Sequence, residues 1–432
     1  MEKKNFLFVS IDALISDTAW QVIKEGHDAK YCIDDPGEKS VADGFVPKVD
    51  NWKKEVDWAD VIVFDDVLGQ GKKAKKLREQ GYNVVGGTPF TDLLEDDRAF
   101  GQEELKKAGI PIIPYKNFDN FDDAISFVQE NPGKYVIKPS GEAANMKSLL
   151  FIGEEDDGKD VIQMLEAYKK AWRRKIKVFQ IQKKVTGVEV AVGAFFNGKQ
   201  YIYPINVNFE HKKLFPGNIG PSTGEMGTSM FWSGPNKLFN STLKKLEPVL
   251  KQEGYKGYMD LNCIVNSNGI FPLEFTSRFG YPTISIQQEG MITPVSELLY
   301  DLSLGNNPNF KARSGFQIGV RIVTPPFPFR NKREFDIQTK NALIMFKKTS
   351  GNHDGVHIED VKLVNGEWVV TGTTGVVLIV CGTGQTMRQA QAQAYNRIGN
   401  IMIPNMYYRK DIGDRWYEDS DRLHSWGYLR EI

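Results

Sequence analysis

The residues best placed to do chemistry fall in one stretch, Gly257 to Gln287, which reads GYMDLNCIVNSNGIFPLEFTSRFGYPTISIQ. Met259–Val265 has the period of a strand, Asn266-Ser267-Asn268-Gly269 is a hairpin turn, and Ile270–Phe275 is the returning strand. Side chains alternate along a strand, so Asp260, Asn262 and Ile264 share one face of the first strand and Glu274 and Thr276 share one face of the second. Such a hairpin presents oxygens to one point from two sides. A few hard oxygen donors, completed by phosphate and water, suit Mg²⁺. Arg278, two residues on, offers a planar fork for a phosphoryl group in transfer. The bland alternative is an ordinary polar-faced hairpin.

Other signatures carry less. There is no G-x-x-x-x-G-K-[ST] and no G-x-G-x-x-G after the first strand, so a P-loop and the usual dinucleotide turn are both excluded. Gly220-Pro221-Ser222-Thr223-Gly224 matches G-x-S-x-G, but a nucleophile elbow needs a strand before it and a helix after it, and Pro216-Gly217 and Glu225-Met226-Gly227 supply neither. His353 and His357 are four apart across Gly355. A turn there suits surface histidines better than a metal pair.

The elements that must position these residues read as mixed α/β. Phe6–Ile11, Ala29–Ile33 and Ala59–Phe64 are buried strands separated by helical patterns at Leu14–Glu25 and Lys72–Gln80. That rhythm predicts a parallel sheet wound by helices, with ligands at the carboxyl ends of its strands. Asp12, Asp34, Asp35, Asp65 and Asp66 fall there. A helix over Asp97–Gly109 leads to a small α+β block at about 117–196, shaped like a lid. Strands dominate to Phe275, and Pro325, Pro326 and Pro328 mark a linker. The predicted division is 1–96, 97–325 and 326–432, the last part β-rich.

Composition sets the outer limits. The 432 residues carry 55 Lys plus Arg and 55 Asp plus Glu, so a neutral chain has no overall pull on nucleic acid or acidic membrane. Hydrophobic residues at 41% and aromatics at 12% exclude a disordered chain. The three cysteines, Cys32, Cys263 and Cys381, form no C-x-x-C pair and read as buried apolar residues. The apolar runs are too short for a membrane span, and the opening MEKKNFLFVSID is too polar for a signal peptide. A cytoplasmic compartment is expected.

Several segments in order resemble the phosphoribosylamine–glycine ligase family of the ATP-grasp superfamily, over most of the chain from about residue 97. Asp97-Arg98-Ala99-Phe100 with Ala108-Gly109-Ile110-Pro111 looks like the opening of its ATP domain. Tyr135-Val136-Ile137-Lys138-Pro139 looks like its nucleotide-lysine strand. The run Phe179 to Glu189 sits where the family hinges its lid. Gly220 to Gly227, GPSTGEMG, is close to G-P-x-T-G-G-M-G, and Leu273 to Gly280 resembles the E-F-N-x-R-F-G metal strand. Tyr408 to Gly413 matches Y-R-x-D-I-G.

The resemblance implies an ATP-dependent ligase that phosphorylates a carboxylate and joins the acyl phosphate to an amine. Mg²⁺ (or Mn²⁺) would rest on Glu274 with Asp260 or Asn262 and Thr276. ATP would meet Arg98, Lys138, Lys147, Gln182, Val185 and Glu189. His211, Lys212, Pro221, Ser222, Thr223 and Gly224 would line the substrate side, and Arg278 and Lys138 would act in catalysis. The implied partners are an amino acid and an amine, with no nucleic acid or membrane, in a monomer or homodimer. The departures are as informative. The family's G-G-R-E-H turn is Ser10-Ile11-Asp12-Ala13-Leu14 here, and its G-P-E-x-P-L is Asp65-Asp66-Val67-Leu68-Gly69. Aspartates replace phosphate-binding glycines. The lid's A-A-G-K-G is Ala143 to Lys147, the hinge E-E is Gln182-Lys183, and the metal-strand Asn is Thr276. Three readings follow: a glycine ligase of this family, a ligase with another amine acceptor or amino acid, and a nucleotide-binding module without turnover.

Overall fold

The computed structural model describes residues 2–140, 149–347 and 353–431. Its first unit is a parallel sheet in the order β2-β1-β3-β4, from β1 (Asn5–Ser10), β2 (Asp28–Ile33), β3 (Val61–Phe64) and β4 (Val84–Val85). α1 (Ser16–Lys24) and α2 (Gln70–Glu79) provide the crossovers. β1 and β3 are buried almost throughout, as a sheet covered on both faces requires. α3 (Pro89–Asp96) starts where Thr88 and Thr91 cap each other, and α4 (Arg98–Lys107) where Asp97 accepts from the amides of Ala99 and Phe100.

The lid block is a separate four-stranded sheet, order β5-β8-β6-β7: β5 (Tyr115–Phe118), β6 (Tyr135–Pro139), β7 (Phe151–Ile152) and β8 (Phe179–Lys183). With α5 (Phe121–Glu130) and α6 (Lys159–Ala171) it closes its own core around Phe121, Ile137, Leu165 and Phe179. A body with a private core can move as a unit. Residues 184–187 link it to β9 (Val188–Asn197) of the central sheet.

That central sheet has eight strands in the order β15-β14-β9-β10-β13-β16-β21-β18. The first five in this order are β15 (Gly269–Thr276), β14 (Lys256–Asn266), β9, β10 (Ile205–Glu210) and β13 (Gly227–Ser233). β16 (Phe316–Val323), β21 (Val376–Gly384) and β18 (Val356–Ile358) continue it, so strands on both sides of Pro325 share one sheet. A short hairpin of β11 (Lys213–Phe215) and β12 (Ile219–Ser222) projects between β10 and β13. β17 (Leu343–Phe346), β19 (Val361–Val364), β20 (Glu367–Val370) and β22 (Ile401–Met402) make a last small sheet.

Helices cover the central sheet. α7 (Lys237–Ser241) and α8 (Glu247–Glu253) occupy the stretch between β13 and β14. α9 (Thr283–Gly290) and α10 (Val295–Leu304) lie between it and the first unit, where Phe8, Tyr31, Ile286, Leu298, Ile318 and Val380 share one core. α11 (Lys332–Gln338), α12 (Met387–Ile398) and α13 (Trp416–Ser425) complete the chain. The first unit is thus fused to the sheet by apolar burial, whereas the lid is tethered. No helix among the described residues is long and apolar enough to cross a membrane.

Candidate active site

The hairpin that carries the chemistry forms as its alternation requires. Asp260 pairs with Thr276 and Asn262 with Glu274, so all four side chains share one face. Register slips by one residue between Asn262 and Cys263, opposite Pro272. Proline has no amide to give the ladder, and a bulge there lets pairing resume. Beneath this face runs a buried polar chain. Gln287 donates to Asn206 at 3.2 Å, Asn206 donates to the Tyr258 hydroxyl at 2.8 Å, and Tyr258 donates to Asp260 Oδ2 at 3.2 Å. Asp260 is therefore fixed from behind. Burial and neighbouring Glu210 push its carboxyl well above the usual range, against the Thr276 hydroxyl bond.

A cavity of about 160 Å³ opens over the hairpin. Asp260, Asn262, Glu274, Thr276 and Arg278 line it, with Lys212, Glu210, Gly224, Glu225, Tyr281 and Arg321. Arg278 meets Glu95 at 3.0 Å and Asp66 at 3.9 Å, and these carboxylates keep it charged against burial. Lys212 stands among Glu274 at 2.7 Å, Glu189 at 3.0 Å and Glu210 at 3.3 Å, which raise its pKa despite burial. Asn262 donates to Glu189 at 2.9 Å. Burial alone would raise Glu189, but Lys212, the Asn262 hydrogen bond and Arg415 together hold the carboxyl below its ordinary value.

The lid contributes from above. Lys138 of β6 is buried, and its pKa falls to about 8 through burial and the nearby charge of Arg98. Glu274, Lys212 and Glu189 also act on it electrostatically, so the lid lysine lies within charge reach of the hairpin's acidic face. Arg98, first residue of α4, donates to the Pro139 carbonyl at 3.3 Å, and burial lowers its pKa. Gln182 is buried in β8 between Tyr115 and Val136, and Val185 sits half-buried in the hinge link. Lys147 lies outside the described residues.

The segment Gly220–Gly227 is a strand end and return. Ser222 pairs with Lys213, Thr223 donates to the Lys212 carbonyl from both its amide at 2.9 Å and its hydroxyl at 3.0 Å, and β13 follows. No helix follows Ser222, so the nucleophile-elbow context is absent. Thr223 braces the Lys212 backbone and Ser222 its neighbour Lys213, while Gly224 reaches the cavity. The C-terminal Tyr408–Gly413 motif acts at a distance. Buried Arg409 grips Asp411 at 2.6 Å and donates to the Lys213 carbonyl at 2.9 Å and to Asn218 at 3.0 Å, and Asp411 accepts from Gly217 at 3.0 Å. Arg415 donates to the backbones of Glu210 and Glu189 at 2.9 and 2.6 Å.

Two histidine readings change. His211 is buried outside the cavity lining, and burial with Arg415 and Arg409 drives its pKa to about 3, so it is neutral. His357, expected at the surface, is buried between Asp17 at 2.6 Å and Glu289 at 3.3 Å. His353 packs on Phe346 and Trp368. The sequence did not single out Glu95, Glu225 or Arg321. Glu225 had a signal: it stands at the second middle glycine of the family's G-P-x-T-G-G-M-G. Burial and Glu210 raise its carboxyl pKa well above the usual range.

A lid with its own core, a lysine on the lid strand and an acidic hairpin beneath it define an ATP-grasp protein. Residues 96–284 match the model of the phosphoribosylglycinamide synthetase ATP-grasp (A) domain, and 317–415 match that of the phosphoribosylglycinamide synthetase C domain. The chain belongs to the phosphoribosylglycinamide synthetase family. It is 24% identical to a phosphoribosylamine–glycine ligase of Halalkalibacterium halodurans, over 79% of this chain and 78% of that one. For the enzyme of the same name from Lactococcus lactis the figures are 26%, 77% and 78%. The crystal structure of the Thermotoga maritima phosphoribosylamine–glycine ligase superposes with a TM-score of 0.70 at 20% identity, covering 94% of this chain and all of that one.

Proposed function

We propose that this protein is an ATP-dependent carboxylate–amine ligase that activates glycine as an acyl phosphate and joins it to an amine. One observation carries the reading: the lid lysine Lys138 lies within electrostatic reach of Glu274 and Lys212, which with Asp260 and Arg278 line the cavity over the hairpin. The relatives' shared name, which pairs glycine with an amine, supports the choice of acid.

A carboxylate resists attack by an amine because its oxygen is a poor leaving group. Transfer of the ATP γ-phosphoryl to a carboxylate oxygen yields ADP and an acyl phosphate. The amine then forms the C–N bond, the C–O bond to phosphate breaks, and the amine loses a proton. Lys138 and Arg98 hold the nucleotide phosphates. Gln182, Val185 and Glu189 border the adenine and ribose. Arg278 steadies the phosphoryl oxygens, and Lys212 with Gly220–Gly227 frames the acid. Charge fixed in place beforehand stabilises the transferring group better than water can. The lid shuts water away from an intermediate that hydrolyses readily.

The donor set fits Mg²⁺. Oδ1 of Asp260 and Oδ1 of Asn262 are buried without a hydrogen-bond partner among the described residues, and both lie on the cavity wall with Glu274. Bound there, the cation would neutralise phosphate charge. The whole set comes from one chain, so a monomer or homodimer suffices. Three free, buried cysteines are consistent with a cytoplasmic setting. The division at about 96 separates an acceptor side from an ATP side, and the stretch after about 325 supplies a clamp on it. ADP release from ATP and glycine, screened against amines, tests the reading. Release that needs both an acid and an amine is expected; ATP binding with no ADP under any amine would leave only a nucleotide-binding module.

A further inference from the structure

We propose that the carboxyl ends of β1, β2 and β3 bind the acceptor by an ammonium group, so that the acceptor is an organic di- or polyamine without phosphate. This rests on the ligase reading and specifies its second substrate. Phosphate sites at strand ends work by offering backbone N–H groups and a helix N-terminus. Here three such amides are already taken by the protein's own carboxylates. The Val67 amide donates to Asp66 at 2.7 Å and the Gly37 amide to Asp35 at 2.7 Å. In the first turn of α2, the Gly71 amide donates to Asp92 at 3.0 Å. A phosphate would meet aspartates where it needs donors.

A second observation points to a cation. Asp65 Oδ1, Glu38 Oε2 and Asp92 Oδ1 are buried and have no hydrogen-bond partner among the described residues. Asp65 is fully buried and Glu38 is 3% exposed. Buried carboxylate oxygens without partners are costly, and an ammonium with several N–H donors relieves that cost. Asp66 and Asp35 bear on half-buried Asp12, and Asp12 and Asp35 bear on Glu38; Arg330 acts on both Asp12 and Glu38 in the opposite sense, so the carboxylates outnumber the cation beside them. This acidic group touches the reaction cavity. Tyr281, which lines that cavity, donates to the Asp65 carbonyl at 3.1 Å, and Arg278 spans Asp66 and Glu95. Among the described residues no three His, Cys, Asp or Glu side chains converge to hold a metal. Spread oxygens suit a flexible organic cation better than a compact ion. One end of the amine stays protonated on the aspartates. The other, neutral, attacks the acyl carbonyl; phosphate leaves and the surplus proton passes to solvent.

Calorimetry on the full chain without nucleotide, with 1,4-diaminobutane and ribose 5-phosphate as probes, decides this. The diamine is expected to bind at one site and the sugar phosphate not to bind. Asp12→Asn with Asp66→Asn should weaken the diamine about tenfold or more, the scale of lost charge pairs at a binding site. Asp28→Asn, in a surface pair with Lys3, should change nothing. If the double variant does not fold, Asp12→Asn alone carries the comparison, with a smaller loss in the same direction. Binding of ribose 5-phosphate in place of the diamine, equal diamine affinity in the variants, or displacement of the diamine by stoichiometric Mg²⁺ would overturn the proposal. ADP release with glycine and a phosphorylated amine would sink this inference and leave the ligase standing. Diamine binding in a protein that binds no ATP would do the reverse.

Discussion

Lys138 shows how a single residue trades stability for function. Its ammonium is buried beside Arg98, which lowers its pKa to about 8. Desolvation makes this charge costly to the folded chain, and a bound triphosphate would offset the cost. Lys138→Met should therefore leave the melting temperature unchanged or raise it, while kcat/KM for ATP falls by about 10²–10³, the cost of one preorganised donor. Since deprotonation removes the charge, kcat/KM for ATP in the wild type should decline as pH rises through about 8. Lys138→Arg should move that limb to higher pH. The motif around Lys138 was legible from sequence. Its electrostatic company was not, because Glu274 and Lys212 reach it from other elements and no local spacing encodes the meeting. Lys212 is the sharper case. The sequence placed it on the substrate side, whereas the fold seats it among three carboxylates drawn from β9, β10 and β15.

At the scale of elements, the β14–β15 hairpin was readable because alternation and a four-residue turn are local signals, and Asp260, Asn262, Glu274 and Thr276 share a face as expected. The support beneath it was not readable. Gly193 of β9 pairs with Asp260, and a Cβ there would lie 2.0 Å from the Tyr258 hydroxyl and 2.8 Å from the Asp260 Cβ. Glycine at 193 makes room for the chain that aims Asp260. Gly193→Ala should cost about 1–3 kcal/mol, as overpacking of a tight interior does, seen as a lower urea midpoint. Turnover per folded molecule should fall as well, because Asp260 is displaced. A destabilised variant with full turnover would show that this chain is structural only. The C-terminal Tyr408–Gly413 motif was visible as a resemblance, but its work, clamping the β11–β12 hairpin through Arg409, depends on contacts nearly 200 positions away in sequence.

Across the whole molecule, the predicted parallel unit, lid and β-rich end are all present, yet the central sheet runs through the proline-marked linker to β21 and β18. Sequence breaks mark where a chain turns, not which sheet it joins next. His357 ties these parts together. It sits on β18, bonds Asp17 of α1 and Glu289 of α9, and Glu289 in turn meets Arg397 of α12 at 3.4 Å. Burial pulls its pKa down, but Asp17 and Cys381 together overcome this and leave it well above 6.5. A raised pKa in the folded state gives stability that is complete below the unfolded value and lost as pH rises through the folded one. The urea midpoint should therefore fall on the alkaline side in the wild type and fall less in His357→Gln. Parallel pH profiles for the two would remove His357 from this role. The claim on which the rest depends is that the hairpin beneath the lid carries the metal nucleotide. Mg²⁺-dependent ADP release with glycine and an accepted amine, compared between wild type and Glu274→Ala of equal circular dichroism, tests it most directly. Loss of about 10²-fold or more is expected from removing charge stabilisation at the transferring phosphoryl; release at the wild-type rate would contradict the account.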